Sequence, residues 1–330
     1  MKTLLLLGSL ILLLTSCTGS ETEPDPWPYA LVELVQNEGT GEEFSVPARF
    51  DPATGETAAI CGETEHGDGC PFRYGGYFDA AYTVWQDTLF WVEEVDNSSI
   101  LYAWNMTTGE NKPVTELKSV YNYRILGDYL FTGGSRTVTG RIYLPDWTES
   151  ENPYEKMPHR VEGDTAYYMI EGMRSGEGGI YRQNLYETGS RPPIMELLFA
   201  DAQVRSVWYD TDAVFWKGNS SFYEEETHLY RYDLRERTNI ILKADFDGAV
   251  CCSSGEWLYY AEKHTLWQLH KTTGEIRPVY ESDTLTLYTG NGRIQEVGGY
   301  IVVQAADGEK TGRLVYNPTG YETVFYPLPE

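Results

Sequence analysis

The hydrophobic positions of this chain gather into short aromatic-rich runs, each opened by an acidic residue or a glycine and repeated at a nearly constant interval. The runs are Asp87-Thr-Leu-Phe-Trp91, Asp128-Tyr-Leu-Phe-Thr132, Asp164-Thr-Ala-Tyr-Tyr168, Asp212-Ala-Val-Phe-Trp216, Glu256-Trp-Leu-Tyr-Tyr260 and Gly299-Tyr-Ile-Val-Val303, at intervals of 41, 36, 48, 44 and 43 residues. Each is the length of a strand and β-prone in composition, and none shows the 3.6-residue period of a helix. A second landmark keeps the same register: a turn glycine with an apolar residue or proline four places on, at Gly55/Ala59, Gly109/Pro113, Gly189/Pro193, Gly274/Pro278 and Gly320/Val324. Two turns depart from it, near Asn152 and near Arg235-Glu-Arg237.

Residues 257–280 show the unit most plainly. Strands are predicted over 257–261, 266–270 and 275–280, separated by polar breaks at Glu262-Lys-His264 and Thr272-Thr-Gly274. Gly274 supplies the positive φ that a tight hairpin needs, and Pro278, which has no N–H to donate, places the last strand at a sheet edge. A further strand must precede each aromatic run, with candidates at 120–126, 204–209, 249–253 and 292–297. Four short strands in a repeat of forty-odd residues are the signature of a β-propeller, with these preceding strands innermost. Blades stack face to face, so both faces of a strand are buried and strict apolar/polar alternation is lost. A weaker repeat at 29–35, 44–51 and 57–60 raises the blade number to seven; six blades with an N-terminal extension is the alternative. Residues 194–199, IMELLF, look helical in isolation, but the repeat register makes them an outer strand.

Several runs resemble the blades of YWTD and TolB-like propellers: Phe90-Trp-Val-Glu-Glu94 with Leu101-Tyr-Ala-Trp104, and Val214-Phe-Trp216 with Leu229-Tyr-Arg-Tyr-Asp233. The resemblance spans nearly all of residues 29–330 and implies the fold. It implies no particular activity, because propellers host many functions. Six blades are usual in that family.

The first residues read differently. Met1-Lys2 is a short positive start, residues 3–14 are an apolar run too short to span a bilayer, and Leu14-Thr-Ser-Cys17 follows. This is similar to the bacterial lipoprotein signal, whose last cysteine is acylated and becomes the mature N-terminus. The resemblance implies a signal peptide at 1–16, lipid on Cys17 and a place on the outer face of a membrane in the cell envelope. Residues 17–28, rich in proline and acid, are the expected tether to the propeller.

Composition narrows the partners. With 25 basic against 50 acidic residues the net charge is −25, which argues against nucleic acid and against adsorption on anionic lipid. Membrane contact is therefore expected through the N-terminal lipid alone. Beyond Cys17 the cysteines are even in number, as expected of an exported chain with disulfides. Cys61 and Cys70 bracket a polar loop whose ends can meet and are the predicted pair; Cys251-Cys252 reads as two buried thiols or a vicinal disulfide. His66 lies in that loop, but its carboxylates miss calcium-loop spacing, so no metal and no cofactor are expected.

No nucleophile elbow, HExxH, P-loop or dinucleotide fingerprint is present, and no catalytic residue is assigned. Two weaker features point to binding. Arg124, Arg160, Arg205 and Arg293 fall in the inner-strand windows, and guanidinium forks grip carboxylates, phosphates and sulfates bidentately. The competing reading is that each pairs with a carboxylate of a neighbouring blade. In an apparent insertion at 145–154, Trp147 and Tyr154 could stack on a sugar or peptide, or simply anchor a hairpin tip. The function expected is a lipid-anchored propeller binding a small anion, an acidic glycan or an envelope protein. A propeller enzyme of glycoside hydrolase or lyase type, working at the channel mouth, is the alternative. Replacing Cys17 by Ser is expected to release the chain from the membrane fraction or leave it unprocessed; unchanged processing and membrane retention on fractionation would refute the lipid signal.

Overall fold

The computed structural model describes residues 28–328, apart from 39–41, 62–71, 73–81, 96–97, 118–122, 135–136, 152–156, 171–178, 186–195, 201–202, 220–225, 247, 249 and 289–292. Among the described residues every regular element is a strand, and the strands form seven antiparallel sheets, each built from one contiguous stretch of chain. The sheets span residues 30–59, 82–117, 123–151, 160–200, 203–243, 250–281 and 285–327 and are numbered blades 1 to 7. The aromatic runs are the second strands of blades 2 to 7: Thr88–Val95, Tyr129–Gly134, Thr165–Ile170, Ala213–Asn219, Trp257–Glu262 and Tyr300–Asp307. Their inner neighbours are Tyr82–Trp85, Tyr123–Leu126, Arg160–Glu162, Gln203–Tyr209, Val250–Ser254 and Ile294–Val297. Blade 6 ends on Ile276–Glu281, so Pro278 is indeed at an edge, and Glu196–Ala200 is the outer strand of blade 4 as the register requires.

The alternation along the second strands explains the composition. Counting the acidic or glycine landmark as position one, the third and fifth residues pack on the preceding blade. The second and fourth pack on the following one. Leu89 and Trp91 thus join the blade 1–2 core while Phe90 joins the blade 2–3 core. The same parity places Val214 and Trp216 against blade 4 but Ala213 and Phe215 against blade 6, and Leu258 and Tyr260 against blade 5 but Tyr259 against blade 7. Both sides of the strand are therefore apolar, and Phe90, Phe131, Phe215, Tyr168, Tyr259 and Trp216 are almost completely buried. Each such side chain contributes roughly 1.5–3 kcal/mol by its removal from water.

The turns at one end of the ring share a chemistry. The landmark carbonyl accepts the N–H of the residue following the third strand: Asp87 from Met106, Asp128 from Leu144, Asp164 from Leu185, Asp212 from Leu234 and Glu256 from Lys271. Where the turn before the last strand of a blade opens on Asp51, Asn105, Asp233, His270 or Asn317, that side chain accepts one or two N–H groups of the turn. The turn then closes through a left-handed residue, which is Gly55, Gly109 or Gly274 in blades 1, 2 and 6 and Arg237 or Tyr321 in blades 5 and 7. Two expectations are corrected here. The blade 7 turn closes at Tyr321 (φ 55°), one residue beyond Gly320. In blade 3 the turn is not near Asn152: it runs over 144–147 and closes at Trp147 (φ 60°), and Thr148–Glu151 is the outer strand, so the stretch read as an insertion is part of the blade.

Ring closure involves no shared strand among the described residues. Blade 1 contributes three strands, Ala30–Glu38, Glu42–Phe50 and Thr57–Ala59, and blade 7 is completed by its own outer strand, Glu322–Pro327. Side chains pack them together: Ala30, Val32, Val46, Ala48 and Phe50 against Val297, Val302 and Val315. Blade 1 packs on blade 2 through its other face, which makes it a true seventh blade and not an extension. At the seam the Tyr326 ring meets Phe50 edge-on at 5.9 Å and lies over Gly55, where a Cβ would come within 2.1 Å of the ring. Gly55→Ala combines this overlap with a φ of +76° and is expected to cost roughly 2–4 kcal/mol, while Phe50→Ala should cost roughly 3–5 kcal/mol. Denaturant melts of the two variants test this; a Gly55→Ala protein as stable as the parent would show that the seam is not tightly packed.

Candidate functional site

Both faces of every blade are used for packing, which leaves the inner edge and the turns for chemistry. The inner strands carry one shared register position, four residues before the landmark and opposite its fourth residue. It holds Thr83, Arg124, Arg160, Trp208, Cys252 and Gln295. Two adjacent blades thus present arginine at the same height. Arg124 donates to the Pro158 carbonyl of blade 4 at 3.4 Å and has no carboxylate partner among the described residues. Its surroundings are desolvated enough to lower its affinity for the proton, although the residue keeps contact with solvent, as expected of a side chain lining an axial channel. His159 lies beside it. Desolvation by the protein around it, and then the charge of Arg124, hold its pKa down to about 4 although the residue keeps contact with solvent, so it is neutral near pH 7.

Arg160 forms a long ion pair, 3.6 Å, with Glu162 of its own strand. Its charge also reaches Tyr167, Tyr209 and Asp210. The Tyr167 and Tyr209 rings stand 5.1 Å apart, and the Tyr209 hydroxyl is buried with no hydrogen-bond partner among the described residues. Burial pushes the Tyr209 phenol well above its ordinary pKa, so it remains a donor. Asp210 closes the cluster. Burial raises its pKa, but a hydrogen bond and the charge of Lys271 from blade 6, the Thr211 N–H and Arg160 more than offset this, and it stays ionised. Tyr209, Asp210 and His159 carried no signal in the sequence, because each joins the cluster through a neighbouring blade.

The other two arginines are placed differently. Arg205 is the extra residue of a bulge between Val204 and Ser206; it is exposed and has no ion pair among the described residues. Arg293 precedes the inner strand of blade 7 and donates to Gln304 of the same blade. Neither shares the register of Arg124 and Arg160. Cys17, Cys70, Tyr154 and His66 lie outside the described residues, so the lipid site, the Cys61–Cys70 pair and that polar loop do too. Cys252 is half-buried against the blade 6–7 core, and Cys251 is the extra residue of a second bulge, between Val250 and Cys252.

A separate cavity of about 420 Å³ lies between blades 2 and 3 at the end of the ring where these turns close. Its floor is Thr88, Ala103 and Leu144, all buried. Its walls are Trp85 and Trp147, with Gln86, Asn105, Glu110 and Lys112 around them. The Trp85 indole N–H donates to Asp128 at 3.3 Å, the Lys112 ammonium sits 3.3 Å above the Trp147 ring, and Trp147 packs beside Phe90.

No family model matches the chain, and no curated protein matches its sequence. Solved structures match it in fold. The β-propeller domain of the Trilobed protease from Pyrococcus furiosus, described as having an open velcro topology, aligns over 92% of this chain and 94% of its own with a TM-score of 0.57 at 13% identity. An acylaminoacyl peptidase of Pyrococcus horikoshii aligns over 93% of this chain and 52% of its own, TM-score 0.57, 11% identity. An oligogalacturonate lyase solved with manganese aligns over 88% and 98%, TM-score 0.52, 11% identity. At these identities the likeness establishes the propeller and nothing about chemistry.

The neutral His159 makes stability depend on pH. In the unfolded chain an ordinary histidine takes a proton near pH 6.5, whereas the folded chain resists until about pH 4. Between those values the unfolded state binds more protons, so this residue lowers stability progressively as pH falls from about 6.5 to about 4 and adds no further loss below that. His159→Gln should flatten that window in denaturant melts taken at intervals of pH. A variant profile parallel to the parent's would disprove the assignment.

Proposed function

We propose that the protein is a ligand-binding propeller, tethered to the envelope through Cys17, that holds a small anion or an acidic glycan at the inner edge of blades 3 to 5. One observation carries this reading: in a chain with twice as many acids as bases, Arg124 sits at the inner edge with no carboxylate among the described residues. A partly desolvated guanidinium with no carboxylate beside it is left underused as a donor, and an anion forming charge-assisted hydrogen bonds would engage it. Arg160 and the unpartnered Tyr209 hydroxyl would supply further donors. The propeller-enzyme alternative finds less support. Hydrolysis of a glycoside calls for one carboxyl held protonated, and the two acids of this cluster, Glu162 and Asp210, are both paired with cations.

Titration calorimetry with phosphate, citrate and oligogalacturonate against the parent and an Arg124→Ala/Arg160→Ala variant tests the proposal. Loss of two charge-assisted contacts should weaken binding by about a hundredfold, taking roughly 1.5 kcal/mol for each. Equal binding by both proteins would end it.

A further inference from the structure

The cavity between blades 2 and 3 is far from neutral in its sequence choices, and it does not depend on the inner-edge arginines. We infer that it is a binding site for a neutral glycan, which stacks a sugar ring on the indole of Trp85, beside the wall formed by Trp147, and hydrogen-bonds its hydroxyls to Gln86, Asn105, Glu110 and Lys112.

The repeat itself is the control. The residue before the landmark has positive φ at Gly127, Gly163, Gly255 and Gly298, but in blade 2 the same conformation (φ 52°) is forced on Gln86. The closing residue of the second turn is glycine in blades 1, 2 and 6, but Trp147 in blade 3. A bulky residue in the left-handed region is strained, and such strain persists where something other than turn stability selects the side chain. Arg237 and Tyr321 also occupy that conformation, yet both point to solvent and their turns are capped by Asp233 and Asn317. The blade 3 turn has Tyr143 where those turns have a polar acceptor. Gln86 and Trp147, 61 residues apart, are thus the two departures from the glycine pattern that meet in one cavity.

The chemistry of the lining selects the ligand class. A volume of about 420 Å³ lies within the usual range for small-molecule sites and would hold one or two sugar rings. Glu110 and Lys112 balance in charge, and with two amides they offer donors and acceptors in the mixture that hydroxyl groups require. The Lys112 ammonium over the Trp147 ring and Phe90 beside it already cover that indole, so the weakly positive C–H face of a pyranose falls to the ring quadrupole of Trp85, with Lys112 held at the wall as a donor. Both indoles are held in place beforehand, Trp85 by Asp128 and Trp147 by Phe90, which lowers the ordering cost of binding.

The experiment uses the mature chain with maltose, cellobiose, xylobiose and chitobiose as probes, and phosphate and oligogalacturonate as charged controls, followed by tryptophan fluorescence and calorimetry. At least one neutral disaccharide should saturate. A Gln86→Gly/Trp147→Gly variant, which restores the glycines of the other blades, should melt cooperatively and bind at least about tenfold more weakly, as expected for loss of an aromatic wall. Should that variant not fold, Glu110→Ala at the exposed rim carries the test and should weaken binding severalfold. No saturation by any neutral sugar, or unchanged affinity in these variants, would overturn the site. Binding abolished by Arg124→Ala/Arg160→Ala instead would place the sugar at the inner edge and equally overturn it, whereas failure of the anion titrations alone leaves it standing.

Discussion

The ring depends on the join between its first and last blades, which share no strand among the described residues and meet through packed side chains. Consecutive blades are joined by side-chain packing and by the chain itself, whereas among the described residues blades 7 and 1 meet through Val297, Val302 and Val315 against Ala30, Val32, Val46, Ala48 and Phe50, with Tyr326 folded over Gly55. Packing at that seam has to be as dense as in any core, because no backbone ladder among the described residues shares the task of keeping the ring closed. The glycine is therefore not a turn device alone. Its missing Cβ is the space that the Tyr326 ring occupies.

Closure by packing also dictates where function can reside. A second strand such as Ala213–Asn219 commits its odd residues to one neighbour and its even residues to the other, so no side chain on its faces is left for a ligand. The inner strands and the turns escape this demand. It follows that the two candidate sites have opposite characters. The inner edge gathers Arg124, His159 and Arg160 from strands whose register is fixed by the blades behind them. The cavity between blades 2 and 3 is built from strand ends and turns, Trp85, Gln86, Asn105 and Trp147 among them, over a floor of core residues.

This division explains what could be read in the sequence. The aromatic runs are legible because burial on both faces leaves them few alternatives, and blade number and strand order follow from their spacing. The blade 3 turn carries no glycine signal, because Trp147 stands where the repeat has glycine, and the polar residues near Asn152 imitate a turn. The shared register of Arg124 and Arg160 was visible as a common distance from Asp128 and Asp164. Arg205 fell in the same window yet out of register, since a bulge adds one residue to its strand. Tyr209 and Asp210, and the pairing of Gln86 with Trp147, arise from adjacency between blades, which no local pattern encodes.

The two sites also face different long-range fields. A net charge of −25 surrounds the inner edge with negative potential, so an anion approaching Arg124 is repelled until it is close. Salt screens that repulsion beyond a Debye length of about 8 Å at physiological ionic strength, but affects a desolvated contact far less. Moderate salt should thus assist anion entry while leaving the final contact in place, opposite to the behaviour of a basic surface patch. A neutral glycan at Trp85 and Trp147 feels neither effect. Selectivity for an anion then rests on the short-range donors of Arg124, Arg160 and Tyr209 and not on general attraction, because Arg124, although it keeps contact with solvent, sits against protein atoms that partly desolvate it.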